Sequence, residues 1–187
     1  MTQKDYDEFL KSLSDKFPKF KLIAKNKSFL MKLISFLLKV ITFGKMNNFM
    51  DSFYTTVGYT VYYPESYKES TFERRFLILL HESVHMAQMR EERLWGVEFI
   101  GMMIYAIKYL FLPVPLFRAK SRMKYELEAY ATDIVMSNKL FGTELFGRRK
   151  DFVVATLSGP QYFWTWTDKK DLEKRLVDEI NKIHSAL

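Results

Sequence analysis

The stretch His81-Glu82-Ser83-Val84-His85 constrains this chain more than any other, because it sits inside a long helical pattern. Side chains four apart on a helix lie one turn apart on one face, so both imidazoles can reach a single cation. Glu82 is poorly placed to ligate alongside both histidines and well placed to touch a water on that cation. That is the logic of the H-E-x-x-H pattern: two ligands and a base. Two imidazoles do not complete a site, so the fold must bring a third donor from elsewhere. The chain has no cysteine and only three histidines, which leaves a carboxylate or His184.

His184 lies near the C-terminus, and Glu91 would project off the histidine face of a continuous helix. Gln88 stands where a glycine would be needed to turn the chain towards position 91. A better source is Tyr125-Glu126-Leu127-Glu128-Ala129-Tyr130-Ala131-Thr132-Asp133. Glu126, Ala129, Tyr130 and Asp133 share one helical face, and alanine at 129 permits close approach to another helix. Glu128 points about 200° away from Glu126 on an ideal helix. Only one of the two can be the ligand, and Glu126 is the expected one.

The rest of the chain reads as helices with one clear strand pattern. Residues 5–13 look helical up to Pro18. Residues 28–43 are apolar except for a narrow edge carrying Lys32 and Lys39, and a helix packed into the core is expected there rather than an interfacial one. Residues 54–63 are rich in β-branched and aromatic residues and read as one strand ended by Pro64. Residues 71–93 form the clearest helix, with Thr71 as its N-cap. Residues 97–112 and 119–140 are helical, and 168–184 form a charged helix capped by Thr167 or Asp168. The expected class is α+β: several helices and a small sheet whose edge strand is 54–63. We expect a single domain over 1–187, with a basic helical segment at 1–50, the core carrying both metal-binding helices at 51–140, and an aromatic segment plus C-terminal helix at 141–187.

Charge is unevenly placed. The net charge is +7, of which +6 falls in residues 1–50, where ten lysines meet four acidic residues. No nucleic-acid motif accompanies it, so a nucleic-acid partner is not expected, and contact with a membrane surface is not favoured. The polar, acidic start Met1-Thr2-Gln3-Lys4-Asp5 is unlike a secretory signal, and a cytoplasmic protein is expected. The apolar run 97–117 is broken by Lys108 and Pro113, and a single crossing there would separate His85 from Glu126, so a buried helix is expected. The aromatic cluster Tyr162-Phe163-Trp164-Thr165-Trp166 reads as a hydrophobic flap or as one wall of a cleft.

With His81-Glu82-Ser83-Val84-His85 followed by Glu126-x-x-Ala129, the chain resembles the gluzincin zinc metallopeptidases. Gln88 adds a likeness to small H-E-x-x-H-x-x-Q proteins of bacteria and tailed phages. The resemblance covers roughly residues 54–135. It implies a minimal zincin-like fold and one Zn2+ held by His81, His85 and Glu126. It also implies Glu82 as general base and acid, and a peptide or protein substrate paired with the edge strand. Where many gluzincins carry an aspartate that orients a zinc-binding histidine, this chain has Tyr130, and Asp133 one turn further on is the candidate substitute. Tyr105, Tyr125, Tyr130 and Tyr162 are candidates for stabilising an oxyanion, with Tyr130 first because it shares the Glu126 face. The alternatives are a catalytically inactive zinc-binding structural or interaction protein with the same fold, and a membrane-peripheral protein.

Overall fold

Several helix starts in this chain are set by side-chain caps, and the first is the most complete. Thr2 accepts from the Asp5 amide and Asp5 accepts from the Thr2 amide, a reciprocal capping box that opens α1 (Gln3–Lys16). The computed structural model describes residues 1–45, 47–92, 98–106, 108, 120–142, 146–159 and 168–186. They are mainly helical with one small sheet, the α+β class expected. The chain divides into two compact units, Met1–Glu82 and Ser83–Leu187. The division falls inside the unbroken helix α4 (Phe72–Glu91).

In the first unit, α1 is followed by strand β1 (Lys21–Ala24), helix α2 (Phe29–Ile41) and a single turn, α3 (Phe49–Ser52). Strands β2 (Thr55–Val57) and β3 (Thr60–Tyr63) come next, before the first part of α4. The sheet order is β1-β3-β2, with β1 parallel and β2 antiparallel to β3. Residues 54–63 are therefore a hairpin rather than one strand. Val57 pairs with Thr60 across the two-residue loop Gly58-Tyr59, and Gly58 takes φ +63. A positive φ at the first loop position is what a tight hairpin of type II′ requires, and glycine supplies it without a Cβ clash. The edge beside Glu82 is thus the three-residue β2, while β3 lies in the middle of the sheet.

Aromatic side chains fasten α1 to the start of α4 and the sheet to the short turn at 65–69 before it. Phe9 meets Phe76 at 4.4 Å between ring centroids, Tyr6 stacks on Phe72 at 5.7 Å, and Tyr63 meets Tyr67 at 4.8 Å. The Tyr6 and Tyr67 hydroxyls are hydrogen-bonded to each other in the buried interior. Thr71 caps α4, its hydroxyl accepting from the Arg74 amide at 3.4 Å. Helix α2 departs from expectation. Met31 is fully buried, but Phe29, Leu30, Leu33, Phe36, Leu37 and Val40 are all exposed. A helix that is apolar nearly all round cannot cover every face against a unit of this size, so only the Met31 side is packed.

The second unit holds the end of α4, helix α5 (Glu98–Ala106), α6 (Lys120–Phe141), α7 (Phe146–Leu157) and α8 (Lys169–Ala186). Asp168 caps α8 by accepting from the Lys170 amide at 2.9 Å. The core is one cluster of Leu127, Ile134 and neighbours on α6, Val153 and Leu157 on α7, and Leu172, Leu176 and Ile180 on α8. The α6 residues of that cluster centre roughly 130° round the helix from Glu126 and Asp133. The helix is therefore buried on two sides, one apolar and one carboxylate-bearing. Helix α7 was not anticipated, and the 162–166 aromatic cluster lies outside the described residues, as does the apolar run at 109–117. No described helix is long and apolar enough to cross a membrane.

Lys25, just after β1, is 1% exposed. Its Nζ donates to the Phe49 carbonyl at 2.8 Å and lies 3.6 Å from the Phe49 ring centroid. Burial pushes its pKa from 10.5 down to about 8, against the pull of Glu82 and Asp51 in the other direction. The unfolded chain then binds more protons than the folded one between about pH 8 and 10.5, so stability rises with pH across that window. Urea unfolding at a series of pH values should show wild type gaining about 2 kcal/mol on Lys25→Met over the window. Parallel curves for the two proteins would show that Lys25 is not a strained buried charge.

Candidate metal centre

Helix α4 buries four polar side chains, Glu82, Ser83, His85 and Gln88, which is costly unless each finds a partner. Their partners define the site. His81, His85 and Glu126 each offer a ligand atom, and these atoms lie within 4.8 Å of one another. His85 Nε2 and Glu126 Oε1 are 3.9 Å apart. Donors on a tetrahedral zinc at its usual bond lengths lie roughly 3.3 Å apart. Small side-chain movements therefore close this set around an ion. A cation there would also compensate the charge of Glu126, which is 2% exposed. The described residues thus place together the two histidines and the glutamate expected from the sequence, a group able to hold a metal ion.

Gln88 decides which nitrogen of His85 is available. Its Nε2 donates to the Tyr125 carbonyl at 3.0 Å and to Glu128 Oε2 at 2.9 Å. Both partners only accept, so the amide orientation is fixed and Gln88 Oε1 faces His85 Nδ1 at 2.9 Å. An acceptor opposite Nδ1 calls for the proton on that nitrogen. Nε2, the atom facing Glu126, then keeps its lone pair for a metal. The Tyr105 hydroxyl, from α5, lies 3.1 Å from the same Nδ1 and braces the ring from behind.

The two carboxylates of α6 thereby take separate tasks. Glu126 belongs to the group able to hold a metal ion, and Glu128 holds the amide that orients His85. This support for His85 comes from Gln88, three residues further along α4; the sequence reading names Asp133 as the candidate for orienting a histidine. Asp133 is buried on the same side of α6 as Glu126.

Glu82, next to His81, is 8% exposed. The Thr56 hydroxyl on edge strand β2 donates to its Oε2 at 2.5 Å. The buried Lys25 ammonium interacts favourably with the same carboxylate. Neither Thr56 nor Lys25 was foreseen as a partner of Glu82. Both lie far from it in sequence, and the hairpin that delivers Thr56 was read as a single strand.

The tyrosines sort by what they touch. The Tyr125 hydroxyl donates to Glu92 Oε1 at 2.6 Å, and burial together with that carboxylate raises its pKa. Burial of Glu92 opposes its ionisation, but hydrogen bonds from Lys108 and Tyr125 outweigh this and hold it below the usual range. Tyr130 packs against the apolar cluster of α6, α7 and α8. Tyr105 braces His85 on the side away from Glu126, and Tyr162 lies outside the described residues. Glu91 and His184 are exposed.

Replacing Gln88 with methionine keeps the volume and removes both the acceptor on His85 and the donor to Glu128. Affinity for a divalent metal ion, read by chelator competition with zinc as the probe, should fall about 10- to 100-fold while circular dichroism stays unchanged. Unaltered affinity would show that the His85 orientation does not depend on Gln88.

Compared with models of known protein families, with curated protein sequences and with solved structures, the chain finds no match.

Proposed function

We propose that this chain is a zinc-dependent metallopeptidase of gluzincin type, with a minimal zincin-like fold. The observation that carries the reading is the convergence of His81, His85 and Glu126, with Glu82 adjacent on the same helix. Two imidazoles and one carboxylate suit zinc, and three protein donors leave a fourth position open for water or substrate, as catalytic zinc sites require. Zinc bound there would polarise a substrate carbonyl and bring the pKa of a water towards about 7.

The remaining work falls to the chain itself. Glu82 takes a proton from the attacking water and delivers it to the departing amine, the role of a general base that becomes a general acid. Thr56 holds one Glu82 oxygen by donating to it, which leaves the other oxygen to meet the water. Gln88, backed by Glu128, keeps His85 in the tautomer that binds metal. An extended peptide would add to β2, which among the described residues pairs only with β3. Such a strand would run beside the residue that holds Glu82.

A second reading, a zinc protein without turnover, draws on one observation. Glu82 is nearly covered and already engaged by Thr56, as a carboxylate with a purely structural role would be. One experiment separates the two. Metal analysis of purified protein should find about one zinc per chain, the single-ion stoichiometry of such sites. Glu82→Gln should keep the zinc and lose about 100-fold or more in cleavage of a mixed peptide library. Zinc without cleavage in wild type favours the second reading, and no bound zinc removes both.

A further inference from the structure

Helix α2 presents an apolar arc to water that no described part of the chain covers. Phe29, Leu30, Leu33, Phe36, Leu37 and Val40 are 80, 41, 43, 63, 47 and 57% exposed. On an ideal helix they span an arc of roughly 120°, with the fully buried Met31 on the opposite side. Phe43, just beyond the C-terminal end of α2, is 95% exposed and holds a left-handed φ of +50. Isolated exposed apolar residues need no explanation, but a contiguous patch of this kind marks a binding surface.

Charge says what binds. Residues 16–50 contain eight lysines and no aspartate or glutamate. Lys25 is buried, and the other seven are exposed. Lys32 and Lys39 border the apolar arc on one side. We propose that α2 docks flat on an anionic lipid surface, with its phenylalanines and leucines among the upper acyl chains and its lysines at the head groups. Large aromatic and aliphatic residues on one side and lysines at the margin are what an interfacial helix requires. With 13 residues α2 is about 20 Å long, too short to cross a bilayer.

The other occupants fit less well. A second copy packed on this face about a twofold axis would bring two acid-free lysine rows together. Nucleic acid would satisfy the lysines and leave the phenylalanines in water.

Sedimentation of the full chain with vesicles tests the proposal. Wild type should bind phosphatidylcholine vesicles containing phosphatidylglycerol, and about 10-fold more weakly at high salt or on phosphatidylcholine alone. The Lys32→Glu, Lys39→Glu double variant should lose about 10-fold or more on the anionic vesicles. Phe29→Ser combined with Phe36→Ser should lose on the order of 100-fold on both. All four positions are exposed, so circular dichroism should be unchanged. The proposal is overturned by any of three results: no wild-type binding to either vesicle; equal binding by the phenylalanine variant; or a wild-type dimer that ignores vesicles and is dissolved by Phe36→Ser.

Discussion

The buried carboxamide of Gln88 holds the candidate centre in order. It satisfies one donor on α4, the His85 Nδ1–H, and two acceptors on α6 at once. A buried amide stripped of its partners costs about 1–3 kcal/mol per unsatisfied group, so α4 and α6 are tied at this level by more than apolar contact. The same bonds dictate which His85 nitrogen carries a proton. Packing, amide orientation and ligand chemistry are therefore one constraint. The side-chain oxygen of Gln88 is used on the imidazole, its nitrogen on the Tyr125 backbone and on Glu128, and none of these can be inverted without opposing like dipoles.

What could be read from the sequence was what depends on local geometry. His81 and His85 lie one turn apart on any helix, and the wide angular gap between Glu126 and Glu128 sorts them wherever α6 sits. Gln88 was within reach of the same reasoning, because it follows His85 by three residues and shares its face. The hairpin at 55–63 was not read because apolar and aromatic residues continue through Gly58, and the turn is betrayed by that one glycine. β1 was missed for a different reason: Lys21-Leu22-Ile23-Ala24 is too short to show a period, and only its pairing with β3 makes it a strand.

Tyr130 shows a limit of the helix wheel. A helix wheel places Tyr130 near Glu126, but the ring can lean to either side, and it packs against the apolar cluster with α7 and α8. Without knowing that α7 exists, nothing in the sequence draws the ring that way. Thr56 and Lys25 illustrate the same limit. Their relation to Glu82 requires the sheet to be built first, and a lysine beside β1 reads as one more surface charge until its Nζ is seen against the Phe49 carbonyl.

The chain inverts the usual distribution of polarity in two places. On α4 and α6, polar side chains are buried; on α2, large apolar ones are exposed. Neither arrangement serves stability. Each burial of an unpartnered polar group costs free energy, and each large apolar side chain left in water forgoes about 1.5–3 kcal/mol. At the candidate centre hydrogen bonds within the chain offset part of the cost, as those of Glu82, His85 and Gln88 show. On α2 nothing among the described residues supplies the offset, and an anionic lipid surface of the kind proposed would supply it. Departures of this kind are where a sequence serves function ahead of fold. The inner departure suits a cation, and the outer one suits the proposed phase, which accepts rings and positive charge together.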